Sequence, residues 1–233
     1  MAERPVFVPV MEGPVLVRTL HVDFQWFPGM SVSQKQKSVD SLHGAAQQFL
    51  GPQKILEVSS KSRDELGIAL SAFNLTVETV KHRRKFCVEC AYQGSKVFEH
   101  GGPFIDLFEK TAREAKRDDR LKTSGRLIGF HFYRKDWALE PQTAFYDWLY
   151  INALAKREGV VQELEQYSAF TDIEFNPEKS INCQAYSVAL FLALHSRSLL
   201  EHTREPEEFL RVIQGTVINN ARQDRSIQED LLS

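Results

Sequence analysis

A carboxylate, an amide and an amine follow one another at helical spacing between residues 86 and 98. This segment reads FCVECAYQGSKVF, and a turn of about 100° per residue separates an apolar arc from a polar one. Glu89, Gln93 and Lys96 lie on the polar arc, so a helix over 86–98 places them on one face. Such a face is either solvated surface or a place where three polar groups meet one ligand.

Lys96 offers the most specific chemistry of this set. The aromatic residues Tyr92 and Phe98 and the small residue Gly94 lie close to it in the sequence. A partly desolvated lysine has a lowered pKa, and its free amine is a nucleophile toward a sugar aldehyde. A nearby carboxylate such as Glu89 then moves protons. The pattern therefore predicts covalent amine chemistry on a sugar.

Cys87 and Cys90 form a C-x-x-C pair, a spacing found in zinc and redox sites. Tetrahedral zinc needs two more ligands, and the chain offers Cys183 and seven scattered histidines without a second such spacing. Both residues of the pair lie on the apolar arc, which indicates small core residues. We expect no metal and no other cofactor, and three cysteines in a chain of this length indicate a reducing, cytoplasmic compartment.

The segment 59–65 reads SSKSRDE and follows a predicted strand. Ser62 and Glu65 fit a capping box at the start of a helix. A hydroxyl-rich turn that carries Lys61 at a helix start could also hold a phosphate. The segment therefore has a structural interpretation and a ligand-binding one that do not exclude each other.

Polar and apolar residues alternate in the segment 171–177, TDIEFNP. Alternation predicts a strand with Asp172, Glu174 and Asn176 on one face. This face is either a polar sheet edge or, together with Ser180, part of a sugar site. The sequence gives no distance between carboxylates, so two-carboxylate glycosidase chemistry cannot be assigned.

The elements that position these residues predict a helix-rich α+β fold. With 233 residues, 42% hydrophobic and 26% charged, the chain can bury a core, and this composition excludes disorder, collagen and disulfide scaffolds. Strands at 6–10 and 15–26 predict an N-terminal β-hairpin. Further strands are predicted at 55–59, 127–133 and 171–175. Helices are predicted at 33–49, 86–98, 104–116, 143–156, 160–167, 183–200 and 206–213. We expect one domain over 1–233 with a small sheet, in which 201–233 form a helical extension and tail.

Charge is unevenly distributed along the chain. The total of 29 basic and 31 acidic residues argues weakly against extensive nucleic-acid contact. Residues 81–134 nevertheless hold 13 basic and 7 acidic residues, either a solvated basic face or a local cradle for phosphates. No apolar run approaches the ~20 residues that span a bilayer, so no membrane association is expected.

Several motifs together resemble the NADAR superfamily. They are SAFN at 71–74, VECAYQGSKVF at 88–98, AKR at 115–117, Trp137 and IEFNP at 173–177, in the order and spacing of that family. The segments QGSKVF, AFYDWLY and FTDIEFNP are similar to those of the branch associated with DarT-type toxins. The resemblance covers about 6–200. Cys90 departs from the frequent histidine, and Asn182-Cys183 stand where relatives often have Trp-Gly.

This resemblance implies a single NADAR-like domain that removes ADP-ribose from guanine bases of DNA and acts as antitoxin to a DarT-type ADP-ribosyltransferase. It implies Lys96 as the Schiff-base lysine, and Glu89 and Glu174 as acids for proton transfer or for binding ribose hydroxyls. The residues expected to bind substrate are Lys61, Ser62, Phe73, Asn74, Tyr92, Gln93, Gly94, Trp148, Asp172, Asn176 and Ser180. The implied partners are DNA with ADP-ribosylated guanine, ADP-ribose as product, and a cognate toxin.

Two other functions stay open at this point. Other NADAR proteins resemble glycosidases of riboflavin intermediates, so a small phosphorylated metabolite is an alternative substrate. A protein that binds ADP-ribose or neutralises a toxin without catalysis is the alternative from a different class. The presence of Lys96 and Glu89 counts against this last reading.

Overall fold

The fold begins with the predicted β-hairpin. Ala2–Pro9 (β1) pairs antiparallel with Val17–Phe24 (β2), as the alternation of β-branched and aromatic residues predicts. The structure is a computed structural model that describes residues 1–79, 84–178 and 180–214. The hairpin extends into a four-stranded sheet in the order β2-β1-β9-β3, in which Ile55–Glu57 (β3) and Ala169–Thr171 (β9) pair in parallel.

Two smaller sheets and a set of helices complete the described part of the chain. Thr76–Glu78 (β4) pairs with Lys85–Cys87 (β5), and Lys96–Phe98 (β6), Leu127–Phe132 (β7) and Lys135–Trp137 (β8) form a three-stranded sheet. The helices are Val32–Leu50 (α1), Glu65–Ala69 (α2), Val88–Gly94 (α3), Ala112–Arg117 (α4), Arg120–Thr123 (α5), Ala144–Leu154 (α6), Val160–Leu164 (α7), Gln184–Ser196 (α8) and Pro206–Gln214 (α9). Two 3₁₀ segments cover Ile105–Glu109 and Leu200–Thr203.

The core is built around α6 and α8. Both helices are apolar on nearly all faces because each is surrounded by other elements, and Tyr150 and Phe191 are among their fully buried side chains. Phe209 and Ile213 of α9 join the same core. A second apolar cluster lies between the hairpin and α1. The mixed, helix-containing α+β class and the N-terminal hairpin are confirmed.

The single helix predicted over 86–98 is wrong. The structure has β5, the seven-residue α3 and β6 in its place. Helical geometry ends at Ser95, and from there the backbone of Lys96 pairs with Phe130 in the three-stranded sheet. Gly94 is the last residue of α3 and packs against Phe108, where a Cβ atom would lie 2.5 Å from the ring. The Ser95 carbonyl oxygen that follows accepts a hydrogen bond from the His131 backbone N–H, so the chain leaves the helix to pair with β7.

Other boundaries also differ from the predictions. The helix predicted over 104–116 is divided between a 3₁₀ segment and α4, because Thr111 and Glu114 form a capping box that starts a new helix. The capping box predicted at Ser62 is wrong: Asp64 caps α2 by accepting a hydrogen bond from the backbone N–H of Leu66. Strands β4 and β8 and helix α5 are absent from the predicted elements. The predicted tail beyond 214 lies outside the described residues.

No helix in the described ranges combines the length and apolar character that crossing a membrane requires. The longest described helix, α1, is amphipathic and packs one face on the hairpin.

A buried acid pair joins β3 to the residues that follow β9. Glu57, only 2% exposed, accepts hydrogen bonds from Ser59 Oγ at 2.6 Å, Thr171 Oγ1 at 2.7 Å and the Ile173 backbone N–H at 2.9 Å. Burial, and then the charge of Asp172, raise the pKa of Glu57. Burial also raises the pKa of Asp172.

Replacement of Glu57 by glutamine is expected to flatten the dependence of stability on pH. A carboxyl group whose folded pKa lies above its ordinary value of 4.5 binds a proton more tightly in the folded state. Its stabilising effect is complete below that value and is lost as pH rises. Urea unfolding at pH 5 and pH 8 should show a loss of stability in the wild type that is smaller in Glu57→Gln by about 1 kcal/mol or more. Equal losses in both proteins would contradict the raised pKa.

Candidate active site

The two backbone polar groups of Ala72 link three of the predicted motifs. The carbonyl oxygen of Ala72 accepts a hydrogen bond from the Glu89 backbone N–H at 2.9 Å. The Ala72 N–H donates to Gln184 Oε1 at 2.7 Å, and the side chain of Gln184 bonds the Asp172 carboxyl group. The segments 71–74, 88–98 and 171–177 therefore meet although up to 100 residues separate them in the sequence.

Helix α3 presents Glu89 and Gln93 on one side, as their spacing of four residues predicts. Both side chains are buried, and Gln93 Nε2 donates a hydrogen bond to Glu89 Oε1 at 2.9 Å. Gln93 Oε1 is buried and has no hydrogen-bond partner among the described residues. A buried amide oxygen without a hydrogen-bond donor destabilises the folded protein, so this atom is suited to accept a hydrogen bond from a ligand hydroxyl or amine.

Lys96 lies beside this pair on β6, the strand that follows α3. Its ammonium nitrogen is 4.7 Å from the centre of the Tyr92 ring. Burial lowers the pKa of Lys96 to about 8, the charge of Glu89 opposes this shift, and the charge of Lys116 adds to it. Glu89 and Lys96 therefore face the same region, as predicted, although a turn into a strand and not a continuous helix brings the lysine there.

Tyr92 is fixed from several sides. Its ring packs against Phe130 at 5.4 Å and Tyr146 at 5.2 Å between centres, and its hydroxyl oxygen accepts a hydrogen bond from Asn182 Nδ2 at 2.6 Å. Ser180 Oγ in turn donates to the Asn182 carbonyl oxygen at 3.3 Å. The loop before α8 thus orients the aromatic surface under Lys96.

Lys116 is a site residue that the sequence-based list of ligands lacks. It comes from α4, and its ammonium nitrogen lies 3.8 Å from Glu89 Oε1 and 5.4 Å from the centre of the Phe73 ring. The motif 115–117 pointed to this segment, but no local pattern linked Lys116 to Glu89. The site therefore contains two lysines and one carboxylate, and the positive charge of one lysine disfavours protonation of the other.

Asp172 and Glu174 do not share a strand face, so that prediction is wrong. β9 ends at Thr171, and Asp172 begins a turn in which its Oδ1 accepts a hydrogen bond from the Glu174 backbone N–H at 3.0 Å. The Asp172 side chain is buried and forms a hydrogen bond with the Gln184 side chain. Glu174 is largely exposed and pairs with Lys35 of α1 at 3.0 Å.

Three other residues predicted to bind substrate form hydrogen bonds within the turns to which they belong. Ser62 Oγ accepts a hydrogen bond from the Asp64 backbone N–H, and Asn176 Oδ1 accepts one from the Glu178 backbone N–H. The backbone N–H of Lys61 donates to Ser59 Oγ. The segment 59–62 follows β3 directly and lies next to the residues after β9, because the Val58 N–H donates to the Thr171 carbonyl oxygen.

Asn74 and Trp148 each border a cavity whose lining does not include Lys96. Asn74 donates a hydrogen bond to the Ile68 carbonyl oxygen and borders a cavity of about 620 Å³. Trp148 borders a cavity of about 530 Å³ together with Tyr133 and Arg134. Phe73, 38% exposed, contacts the site through Lys116, whereas Gly94 faces Phe108.

Five of the eleven described lysines and arginines of the stretch 81–134 form ion pairs with acids other than Glu89, namely Arg84, Lys85, Lys110, Arg120 and Arg126. Arg120 bonds Asp106 and Asp118, and Arg126 pairs with Glu99. Among the described residues of this stretch, Lys116 forms an ion pair with Glu89 in the site. The basic side chains shown at the candidate site are therefore Lys96 and Lys116.

Within the described ranges, no group of three histidine, cysteine or acidic side chains is arranged to hold a metal ion. Cys87 and Cys90 have no third ligand among them. A search of curated proteins returns no match for the chain. The family model described as DarT1-associated NADAR antitoxin matches residues 2–223, nearly the whole chain. With this match, and with the motifs of the resemblance assembled around Glu89 and Lys96, the chain belongs to the family of DarT1-associated NADAR antitoxins.

Proposed function

We propose that this antitoxin hydrolyses the N-glycosidic bond between ADP-ribose and guanine bases of DNA, and that it thereby reverses the modification made by a DarT-type ADP-ribosyltransferase. The observation that carries the proposal is the arrangement of Lys96. Its side chain is half-buried, and its amine lies over Tyr92 and is near Glu89. A lysine with a pKa of about 8 is about one-tenth free amine at pH 7, far more than a lysine with the ordinary pKa of 10.5, and imine chemistry on a sugar requires this free amine.

The reaction proceeds through opening of the ribose attached to guanine. The ring oxygen leaves the anomeric carbon and gains a proton, which gives an open-chain imine to the base. Lys96 Nζ adds to this carbon, and guanine leaves with a proton on its nitrogen. Water then adds to the lysine imine, the carbon–nitrogen bond to Lys96 breaks, and ADP-ribose is released. The net change consumes one water molecule.

Glu89 is the group that moves protons in this sequence. A general acid and base must lie within hydrogen-bond reach of the reacting atoms, and the Glu89 carboxylate lies on the same side as Lys96. Gln93 holds one of its oxygens, and Lys116 lies near that same oxygen. These contacts fix the carboxylate while its second oxygen can serve the substrate.

Lys116 is expected to tune the reaction through its charge. The change Lys116→Gln removes a positive charge that helps to lower the pKa of Lys96, so this pKa rises and less free amine is present at neutral pH. The rate at pH 7 should fall roughly two- to fivefold, with recovery at pH 9.

A complete pH–rate profile of Lys116→Gln checks this expectation. The acidic limb should move to higher pH, and Lys116→Arg, which keeps the charge, should show the wild-type limb. A uniform loss of rate at all pH values in Lys116→Gln would instead assign Lys116 to substrate binding.

A comparison of two substrates tests the proposed function. An oligonucleotide with one ADP-ribosylated guanine should yield free ADP-ribose and the unmodified strand by mass spectrometry, while an aminated ribose phosphate of the riboflavin type should remain intact. Turnover of only the small metabolite would replace the proposal with the glycosidase alternative. Tight binding of ADP-ribose without release of the base would replace it with a binding function.

A further inference from the structure

Two thiols stand next to each other at the start of the helix that carries Glu89. Cys87 Sγ and Cys90 Sγ lie 3.1 Å apart, and all three cysteines of the chain are free. The two residues bracket Glu89 in the sequence. Cys87 ends β5, and its sulfur accepts a hydrogen bond from the Cys90 backbone N–H at 3.3 Å. The pair needs a movement of only about 1 Å to reach the ~2.05 Å of a disulfide bond.

The two sulfurs differ in their access to solvent. Cys87 is half-buried, whereas Cys90 is 1% exposed and donates its S–H to the Lys110 carbonyl oxygen at 3.1 Å. The hydrogen bond between the two sulfurs lowers the pKa of Cys87, while the same hydrogen bond and burial raise the pKa of Cys90. An accessible first thiol with a buried second thiol behind it is the arrangement of redox-active pairs.

We propose that Cys87 and Cys90 are a redox modification site that forms a reversible disulfide with peroxide as oxidant. The Cys87 thiolate attacks one oxygen of hydrogen peroxide, which breaks the O–O bond and gives a sulfenic acid and hydroxide. The Cys90 thiol then attacks the Cys87 sulfur, the S–S bond forms, and the sulfenic oxygen leaves as water. Two thiols lose two electrons and two protons, and peroxide is reduced to two water molecules.

Oxidation acts on the candidate site through Glu89. The backbone N–H of Glu89 is anchored to Ala72, and we expect the approach of the two sulfurs by about 1 Å to shift the backbone between Cys87 and Cys90, which includes Glu89. Displacements of this size in a catalytic group cost up to about 100-fold in rate. The oxidised protein should therefore cleave ADP-ribosylated DNA at least about tenfold more slowly, a consequence that rests on the proposed function.

Intact mass and thiol counting test the site without any substrate. After treatment with hydrogen peroxide and removal of the excess, the wild-type protein should lose two hydrogen masses and two maleimide-reactive thiols, and dithiothreitol should restore both. Cys183→Ser should behave like the wild type, because Cys183 is buried elsewhere in the core. Cys87→Ser and Cys90→Ser should form no intramolecular disulfide; serine at position 87 keeps an oxygen to accept the Cys90 N–H.

The possible results test the formation of the disulfide and its effect on Glu89 separately. Wild-type protein that keeps both thiols, or gains oxygen on sulfur without a disulfide, would overturn the modification site. A disulfide with an unchanged cleavage rate would overturn its control of Glu89. If reduced protein does not release ADP-ribose, the proposed function fails, while the mass and thiol counts still decide whether the disulfide forms.

Discussion

Replacing Lys96 with alanine is expected to lower the rate of ADP-ribose release on the order of 10³-fold or more, the scale seen when a covalent nucleophile is removed. The half-buried Lys96 amine over Tyr92 is the proposed nucleophile, whereas Lys116 is more exposed and pairs with Glu89 Oε1. The measurement is the single-turnover rate on an oligonucleotide that carries one ADP-ribosylated guanine.

Lys96→Arg is the matched control for this loss. Arginine keeps a long side chain and a positive charge but cannot act as an amine nucleophile at neutral pH. It should be as inactive as Lys96→Ala while it still binds ADP-ribose. Substantial hydrolysis by either variant would contradict the role of Lys96, provided that thermal unfolding shows both to be folded.

The pH dependence of the wild-type rate is a second test of the role of Lys96. With a pKa of about 8, Lys96 is mostly protonated at pH 6, and its free-amine fraction should limit the rate to about one hundredth of the plateau. The rate should therefore rise with pH and level off above about 8. A rate that is already constant at pH 6 would show that the free amine does not limit the reaction.

The change Glu89→Gln is expected to lower the rate by about 10²- to 10⁴-fold, the usual contribution of a general acid or base. Glutamine has the shape of glutamate and can still bond Gln93, so the packing of α3 is preserved. What is lost is the proton-carrying oxygen and the negative charge beside Lys96. A single-turnover assay with the same oligonucleotide measures the effect.

Glu99→Gln is a suitable comparison for Glu89→Gln. Glu99 is an exposed glutamate ten residues further along the chain, and its carboxylate pairs with Arg126. Its replacement should change the rate less than twofold, as surface pairs contribute little. If Glu89→Gln behaved like Glu99→Gln, proton transfer would have to be assigned to another group. The candidate is Asp172, a buried acid that is linked to the Glu89 backbone through Gln184 and Ala72.

Strong local patterns explain which parts of the fold could be predicted. The alternation in the N-terminal segment and the long apolar or amphipathic runs of α1, α6 and α8 gave the correct elements within a few residues. The segment 86–98 failed because thirteen residues with helical periodicity contain a helix of only seven. After Gly94 the chain pairs with β7, where the His131 backbone N–H donates to the Ser95 carbonyl oxygen, and this long-range pairing has no local signature.

The candidate site also contains some residues that the sequence could identify and others that it could not. Glu89, Gln93, Tyr92 and Lys96 could be predicted as a group because they are close in the sequence. Lys116 and Asn182 approach them only through the fold, so spacing could not identify them. In the segment 171–177 the alternation predicted a strand, but the side chain of Asp172 bonds the backbone of Glu174 and turns the chain. Short polar side chains compete with sheet pairing in this way.

Trapping of the covalent intermediate tests the central claim most directly. Wild-type protein incubated with DNA that carries ADP-ribosylated guanine, in the presence of sodium borohydride, should acquire a stable adduct of ADP-ribose. Peptide mapping should place this adduct on Lys96, and Lys96→Arg should acquire none. Release of ADP-ribose at the full rate with no reducible adduct, or with the adduct on Lys116, would contradict the proposed mechanism.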